Sequence, residues 1–171
     1  GKWFAIEHFG VIPDIITIGK AVASGLPLGV TVAKKNIMNW PPGSHATTFG
    51  GNPLALAAAS AVISEIKDKN LIKNALDQGN YIKKRLNEMM EKYEIIGDVR
   101  GLGLMIGLEI VRDKRSKRPG IKEARKIMIR AWKRGLAIIL AGRSTIRIAP
   151  PLTITREAVD EGIEILEESI K

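Results

Sequence analysis

Cysteine is absent from this chain of 171 residues, and histidine occurs only twice, as His8 and His45. The absence of cysteine excludes disulfides, thiolate metal sites and cysteine nucleophiles, and we expect a cytoplasmic protein. Neither histidine has a carboxylate at metal-ligand spacing beside it, so we expect no metal site. A G-x-S-x-G segment is also absent, which leaves a serine hydrolase without support.

Long apolar runs are absent as well. No run reaches the roughly 18 residues that a membrane helix needs, and the first residues do not follow the pattern of a signal peptide. We therefore expect no membrane partner. Apolar residues still make up 45% of the chain, which is enough for the core of one domain or for a large part of a bigger protein.

Basic residues exceed acidic ones, 27 against 18, which gives a formal net charge of +9. An excess of this size is a first signal for nucleic acid. However, the densest basic segment, residues 112–118, runs into Pro119-Gly120 and is predicted to be an exposed loop. Aromatic residues do not interleave with it. We therefore interpret the charge as solvated surface and expect no nucleic-acid partner.

Four segments carry helix signals. Asn52 and Pro53 form a typical N-cap and first-turn pair, and the almost wholly apolar segment after them predicts a helix buried on most sides. Gly135 and Thr155 are typical of a helix C-terminus and a helix N-cap. The predicted helices are residues 54–66, 71–93, 121–134 and the segment after Thr155.

Short apolar runs bounded by turn residues predict strands. In the segment 97–111, Gly101 and Gly103 begin a G-x-G pattern, but Gly107 comes one residue late for a dinucleotide loop and a strand follows instead of a helix. We interpret this segment as a glycine-rich edge strand or bulge. The other predicted strands are residues 11–20 and 26–33, both expected to be buried, together with 136–140 and 144–149.

Lys20 stands between the apolar run that ends at Ile18 and the small-residue turn Ser24-Gly25. Burial would lower the pKa of such a lysine and make it a nucleophile for a carbonyl compound or for pyridoxal phosphate. The alternative is a lysine at a strand end that extends into solvent. Position alone leaves both interpretations open.

Two further segments are candidates for anion binding. Thr47 and Thr48 offer hydroxyls just before a glycine pair and a helix start, which suits a phosphate, although both could simply stabilise a turn. Arg147 alternates with Ile146 and Ile148 in a predicted strand, so it points away from the apolar face. It could clamp a carboxylate or be an ordinary solvent-facing arginine.

Taken together and in order, these motifs resemble the class III, or omega-type, pyridoxal-phosphate aminotransferases, which include 4-aminobutyrate, ornithine and acetylornithine aminotransferases. The resemblance covers essentially the whole chain. The segments that carry it are residues 1–10, 13–21, 24–29, 47–54, 99–105 and 146–152.

The resemblance implies an α/β fold of the type I pyridoxal-phosphate transferases and a homodimer or larger homo-oligomer. Residues 1–70 would end the large cofactor domain, 71–94 would form a linking helix, and 95–171 would form the small C-terminal domain. By the same resemblance, Lys20 is the Schiff-base lysine, Thr48 with Thr47 binds the cofactor phosphate from the neighbouring subunit, and Arg147 recognises a substrate carboxylate.

The implied reaction is transamination of an amino acid or omega-amino acid with a 2-oxo acid as acceptor. A racemase or epimerase on the same scaffold would use the same Lys20, so these residues do not separate the two. A non-catalytic interaction module is a further alternative. In the family, the aspartate that pairs with the pyridinium nitrogen precedes the position of Gly1. We therefore expect the chain to be inactive alone and to act as part of a larger assembly.

Overall fold

The computed structural model describes all 171 residues, which divide into two compact units. The N-terminal unit comprises Lys2–Leu71, and the C-terminal unit comprises Ile72–Lys171 together with Gly1. No helix in either unit is long and apolar enough to cross a membrane.

The N-terminal unit is built from a two-stranded sheet and one long helix. Strands β1 (Ile15–Ile18) and β2 (Val30–Ala33) pair antiparallel, and a 3₁₀ turn over Lys20–Ala23 follows β1. Both strands are shorter than predicted, and they are exposed or half-buried rather than buried. The expectation of buried strands is therefore wrong, because nothing within this unit packs on both faces of the sheet.

Helix α1 (Pro53–Asp68) begins as predicted. The side chain of Asn52 accepts hydrogen bonds from the backbone N–H groups of Leu54 and Ala55, and Pro53 occupies the first turn. The prediction that this helix is buried on most sides is wrong for the chain as described. Ala55 and Ala59 form a small core with Ala23, whereas Leu54 on another side is 66% exposed.

The C-terminal unit contains three helices and a four-stranded antiparallel sheet. The sheet has the order β3-β4-β6-β5, so β3 is an edge strand, and its register shifts between Ile96 and Asp98. The prediction of an edge strand or bulge for residues 97–111 is confirmed for its first part only, because the segment turns at Gly103 and its second part is an inner strand that pairs on both sides. The elements are α2 (Leu71–Lys92), β3 (Ile96–Leu102), β4 (Met105–Ile110), α3 (Ile121–Lys133), β5 (Ile139–Ala141), β6 (Thr145–Ile148) and α4 (Arg156–Ile170).

One face of this sheet carries the core of the C-terminal unit. Along each strand, every second side chain points to this face. Leu108 of β4 and Ile146 of β6 are two such side chains, and both are fully buried. They form one apolar cluster with residues of all three helices, among them Leu86 of α2, Ile127 of α3 and Leu166 of α4. Helix α2, expected to be a link between domains, contributes to this core from Ala75 to Met89. The opposite face of the sheet remains available to polar side chains.

Candidate functional site

Lys20 lies two residues after the end of β1 and is the first residue of the 3₁₀ turn. Its backbone is left-handed, with φ +56°, a conformation that costs a residue other than glycine about 1–2 kcal/mol. Backbone strain of this kind is concentrated at functional sites. The turn ends at Ser24, which is also left-handed, and is anchored by the buried Ala23.

The side chain of Lys20 is exposed, so the burial expected from the apolar run before it is not observed. Its amine takes part in no ion pair of the protein, and Asp14, the nearest acidic residue along the chain, pairs with Lys34 at 2.6 Å. The structure therefore presents Lys20 as an unpaired amine on a fixed backbone.

Thr47 and Thr48 lie in a turn that depends on glycine. The N–H of Gly50 donates to the carbonyl of Thr47 at 3.2 Å, and a Cβ on Gly50 would lie only 2.6 Å from the Thr47 hydroxyl oxygen. Gly51 follows with φ +69°, and the chain then enters α1. This geometry explains why two glycines follow the threonines.

An open cavity of about 800 Å³ lies in the N-terminal unit between the two strands and this turn. Thr17, Thr31 and Thr47 are among its lining residues, and Trp40 packs edge-on against His45, another lining residue, with ring centroids 4.9 Å apart. Lys20 and Thr48 are not among the lining residues. The structure thus brings Thr47, but not the other two predicted residues of this unit, to the cavity wall.

The turn offers the donors that a phosphate requires. Gly50 and Asn52 use their N–H groups within the protein, whereas the N–H groups of Thr48, Phe49 and Gly51 have no protein acceptor. Hydroxyls together with unpaired backbone N–H groups at a helix N-terminus are a suitable donor set for a phosphate group. The residues present therefore fit the phosphate end of a cofactor such as pyridoxal phosphate.

Arg147 lies in the C-terminal unit, in β6, and is exposed between the buried Ile146 and the half-buried Ile148. The alternation predicted for this strand is confirmed. Arg147 takes part in no ion pair of the protein. Its guanidinium is therefore free to bind an anion.

A polar network on the same sheet face was missed from the sequence. Glu109 of β4 accepts hydrogen bonds from the hydroxyls of Ser144, at 2.7 Å, and Thr145, and from Arg100 at 2.9 Å. Burial by itself would raise the pKa of Glu109, but these three donors together hold it below its ordinary value. The signal was present in the alternation of Glu109 with Leu108, but only the strand register shows which residues it meets.

Comparison with known proteins places this architecture among pyridoxal-phosphate transferases. The family model for aminotransferase class-III matches residues 1–170. The chain superposes on the crystal structure of a transaminase from Virgibacillus with a TM-score of 0.93 and 31% identity, over 99% of this chain and 41% of that one. The fold is therefore that of the fold type I pyridoxal-phosphate enzymes, as expected, and the chain belongs to the class-III aminotransferase family.

Three relatives represent two kinds of activity. The chain is 51% identical to a leucine/methionine racemase of Thermococcus litoralis and 47% identical to an alanine/serine racemase of Pyrococcus horikoshii, over 99% and 100% of its length. It is 37% identical to an acetylornithine aminotransferase of Caldanaerobacter subterraneus over 98% of its length. The chain spans 39%, 36% and 40% of these three proteins, respectively.

Proposed function

We propose that the protein containing this chain is a pyridoxal-phosphate enzyme that transfers the amino group of an amino acid or omega-amino acid to a 2-oxo acid. The observation that carries the proposal is Lys20, an exposed and unpaired amine held in a left-handed backbone conformation. Family membership supports the same reaction, since class-III aminotransferases match the whole chain.

The residues of this chain have distinct tasks in the proposed reaction. The amine of Lys20 bonds the cofactor and, once a substrate amine has displaced it, carries a proton to and from the substrate carbon. Thr48 and Thr47, with the unpaired N–H groups of their turn, bind the cofactor phosphate. Arg147 binds a substrate carboxylate. The cofactor, when bound, supplies an electron sink that makes the substrate carbon acidic.

The organisation of the whole protein is part of the proposal. Residues 1–70 belong to a large cofactor domain, 71–94 to a linking helix and 95–171 to a small C-terminal domain. The protein is a homodimer in the cytoplasm, and Thr48 serves the cofactor of the neighbouring subunit. Analytical ultracentrifugation would test the dimer, and mixing Lys20→Ala with Thr48→Ala subunits would test the sharing. If the sites are shared, hybrid dimers regain part of the activity that each variant lacks.

The role of Lys20 is tested by cofactor attachment rather than by turnover. The full-length protein reduced with borohydride should carry pyridoxyl phosphate on the peptide that contains Lys20, as mass spectrometry would show. Lys20→Ala should lose the label, whereas Lys35→Ala, a change at another exposed lysine, should keep it. A label that stays elsewhere in the Lys20→Ala protein would overturn the assignment.

Racemisation is a second candidate, favoured by the 51% and 47% identities to two racemases. Both reactions use Lys20 and the same cofactor, so the distinction lies in the need for an acceptor. The full-length enzyme would be incubated with one enantiomer of leucine, methionine, alanine or serine and no 2-oxo acid. Formation of the other enantiomer supports racemisation, and a strict requirement for the 2-oxo acid supports transamination.

A further inference from the structure

Two arginines lie at paired positions on the face of the C-terminal sheet that points away from the core. Arg100 of β3 pairs with Gly107 of β4, and Gly107 pairs in turn with Arg147 of β6. Only a glycine therefore separates the two guanidinium-bearing positions. A Cβ at position 107 would lie 3.0 Å from the Cγ2 of Thr145 and at ordinary contact distances of 3.8 and 4.0 Å from the Cγ and Cζ of Arg100, so the side chain of Arg100 lies over this glycine.

The charge of Arg100 is compensated by two carboxylates. Its Nη1 donates to Asp98 at 2.8 Å, and its Nη2 donates to Glu109 at 2.9 Å and to the Thr145 hydroxyl at 3.2 Å. The two carboxylates, Asp98 first and then Glu109, hold the pKa of Arg100 above its ordinary value. Arg147 has no such partner although it lies on the same face.

Glu109 is the carboxylate that could neutralise Arg147. It pairs with Thr145, two residues before Arg147 on the adjacent strand, so it is a diagonal neighbour within reach of a long side chain. In the structure, however, Glu109 is turned to three other donors, Arg100 and the hydroxyls of Ser144 and Thr145. Arg100 supplies the only positive charge among them.

We propose that Arg100 is a positioning residue that keeps Arg147 free for the substrate carboxylate by holding and neutralising Glu109. The inference rests on the carboxylate-binding role proposed for Arg147. Without Arg100, Glu109 would be an uncompensated carboxylate beside Arg147. It would attract the Arg147 guanidinium and repel an incoming carboxylate.

The test compares five variants of the full-length holoenzyme with the wild type. Valerate, a carboxylate without an amino group, is the binding probe, and its dissociation constant is measured by calorimetry beside KM and kcat for the amino-acid substrate. Arg100→Met should raise the valerate Kd and KM roughly tenfold, with kcat nearly unchanged, because an unpaired charge is introduced next to the anion site. Adding Glu109→Gln to Arg100→Met should restore most of the loss, because the competing charge is gone.

Two matched variants complete the design. Arg143→Met removes an exposed, unpaired arginine from the turn between β5 and β6, so it lowers the net charge equally without touching Glu109 and should leave valerate binding unchanged. Arg100→Lys keeps a positive charge beside Glu109 and should bind valerate more tightly than Arg100→Met. Arg100 is 55% exposed, so its substitution leaves the core intact.

The outcomes separate this proposal from the one on which it rests. Unchanged valerate binding in Arg147→Gln would overturn the role of Arg147 itself. If Arg147→Gln weakens binding but Arg100→Met does not, the positioning role of Arg100 is wrong while Arg147 keeps its function. The positioning role is also wrong if the double variant binds as weakly as Arg100→Met, because a purely structural contribution of Arg100 would not be reversed by removing Glu109.

Discussion

Gly79, in the middle of α2, lies directly against the backbone of Gly103 in the turn between β3 and β4. A Cβ at position 79 would overlap the carbonyl oxygen of Gly103, which is backbone and has no flexible side chain to yield. Gly103 itself has φ +51°, a conformation suited to glycine. The helix and the hairpin of the C-terminal unit therefore approach each other through two glycines.

Gly79→Ala should destabilise the protein by about 1–3 kcal/mol, although alanine is the better helix former, because the overlap forces the helix away from the hairpin. Urea unfolding measures the change in the free energy of unfolding. Asn80→Ala, at an exposed position of the same helix, is the matched control and should change stability by less than about 0.5 kcal/mol. Equal stabilities for the two variants would contradict the close approach.

Gly162→Ala should stabilise the protein, in contrast to Gly79→Ala. Gly162 lies inside α4 beside a small apolar cavity, and a Cβ there would meet Leu136 at an ordinary contact distance of 3.6 Å. The substitution gains about 1 kcal/mol of helix propensity and fills part of the cavity. Thermal unfolding should show a higher Tm. Gly135→Ala is the contrasting variant, since φ +92° at Gly135 is strained for alanine and a lower Tm is expected.

The left-handed backbone at Lys20 predicts that glycine and alanine variants at this position differ in stability but not in cofactor attachment. Lys20→Gly should be more stable than Lys20→Ala by about 1 kcal/mol, because glycine adopts φ +56° without a Cβ clash. Both variants should lose the borohydride-stable label. Chemical denaturation of the two variants gives the comparison, and an alanine variant as stable as the glycine variant would mean that the turn relaxes.

The lowered pKa of Glu109 predicts that the protein loses stability in acid. Its pKa is lowered in the folded state, so its contribution is present above the unfolded-state value of about 4.3 and is lost as pH falls through the lower folded-state value. The free energy of unfolding, followed from pH 6 downward, should therefore fall more steeply below about pH 4.3 in the wild type than in Glu109→Gln. Glu161→Gln, at an exposed position in no ion pair, is the control and should keep the steep fall.

Local residue types predicted most of the elements of the C-terminal unit. Thr155 caps α4 and Gly135 follows the end of α3 because capping and left-handed backbone are decided within a few residues. The predictions for the N-terminal unit were weaker. The strands around Lys20 and helix α1 were expected to be buried because they are apolar, yet burial depends on what packs against a segment and not on its own composition.

The sequence by itself determined the class-III family, the α/β fold, the cofactor implied by that family and the order of Lys20, Thr48 and Arg147, since these follow from motifs along the chain. Only the tertiary structure decided that Lys20 has a strained backbone and an exposed amine. It also decided that Arg100 takes up the charge of Glu109 beside Arg147. Strand register brings residues from distant positions onto one face, and a contact of that kind has no signature at any single position of the sequence.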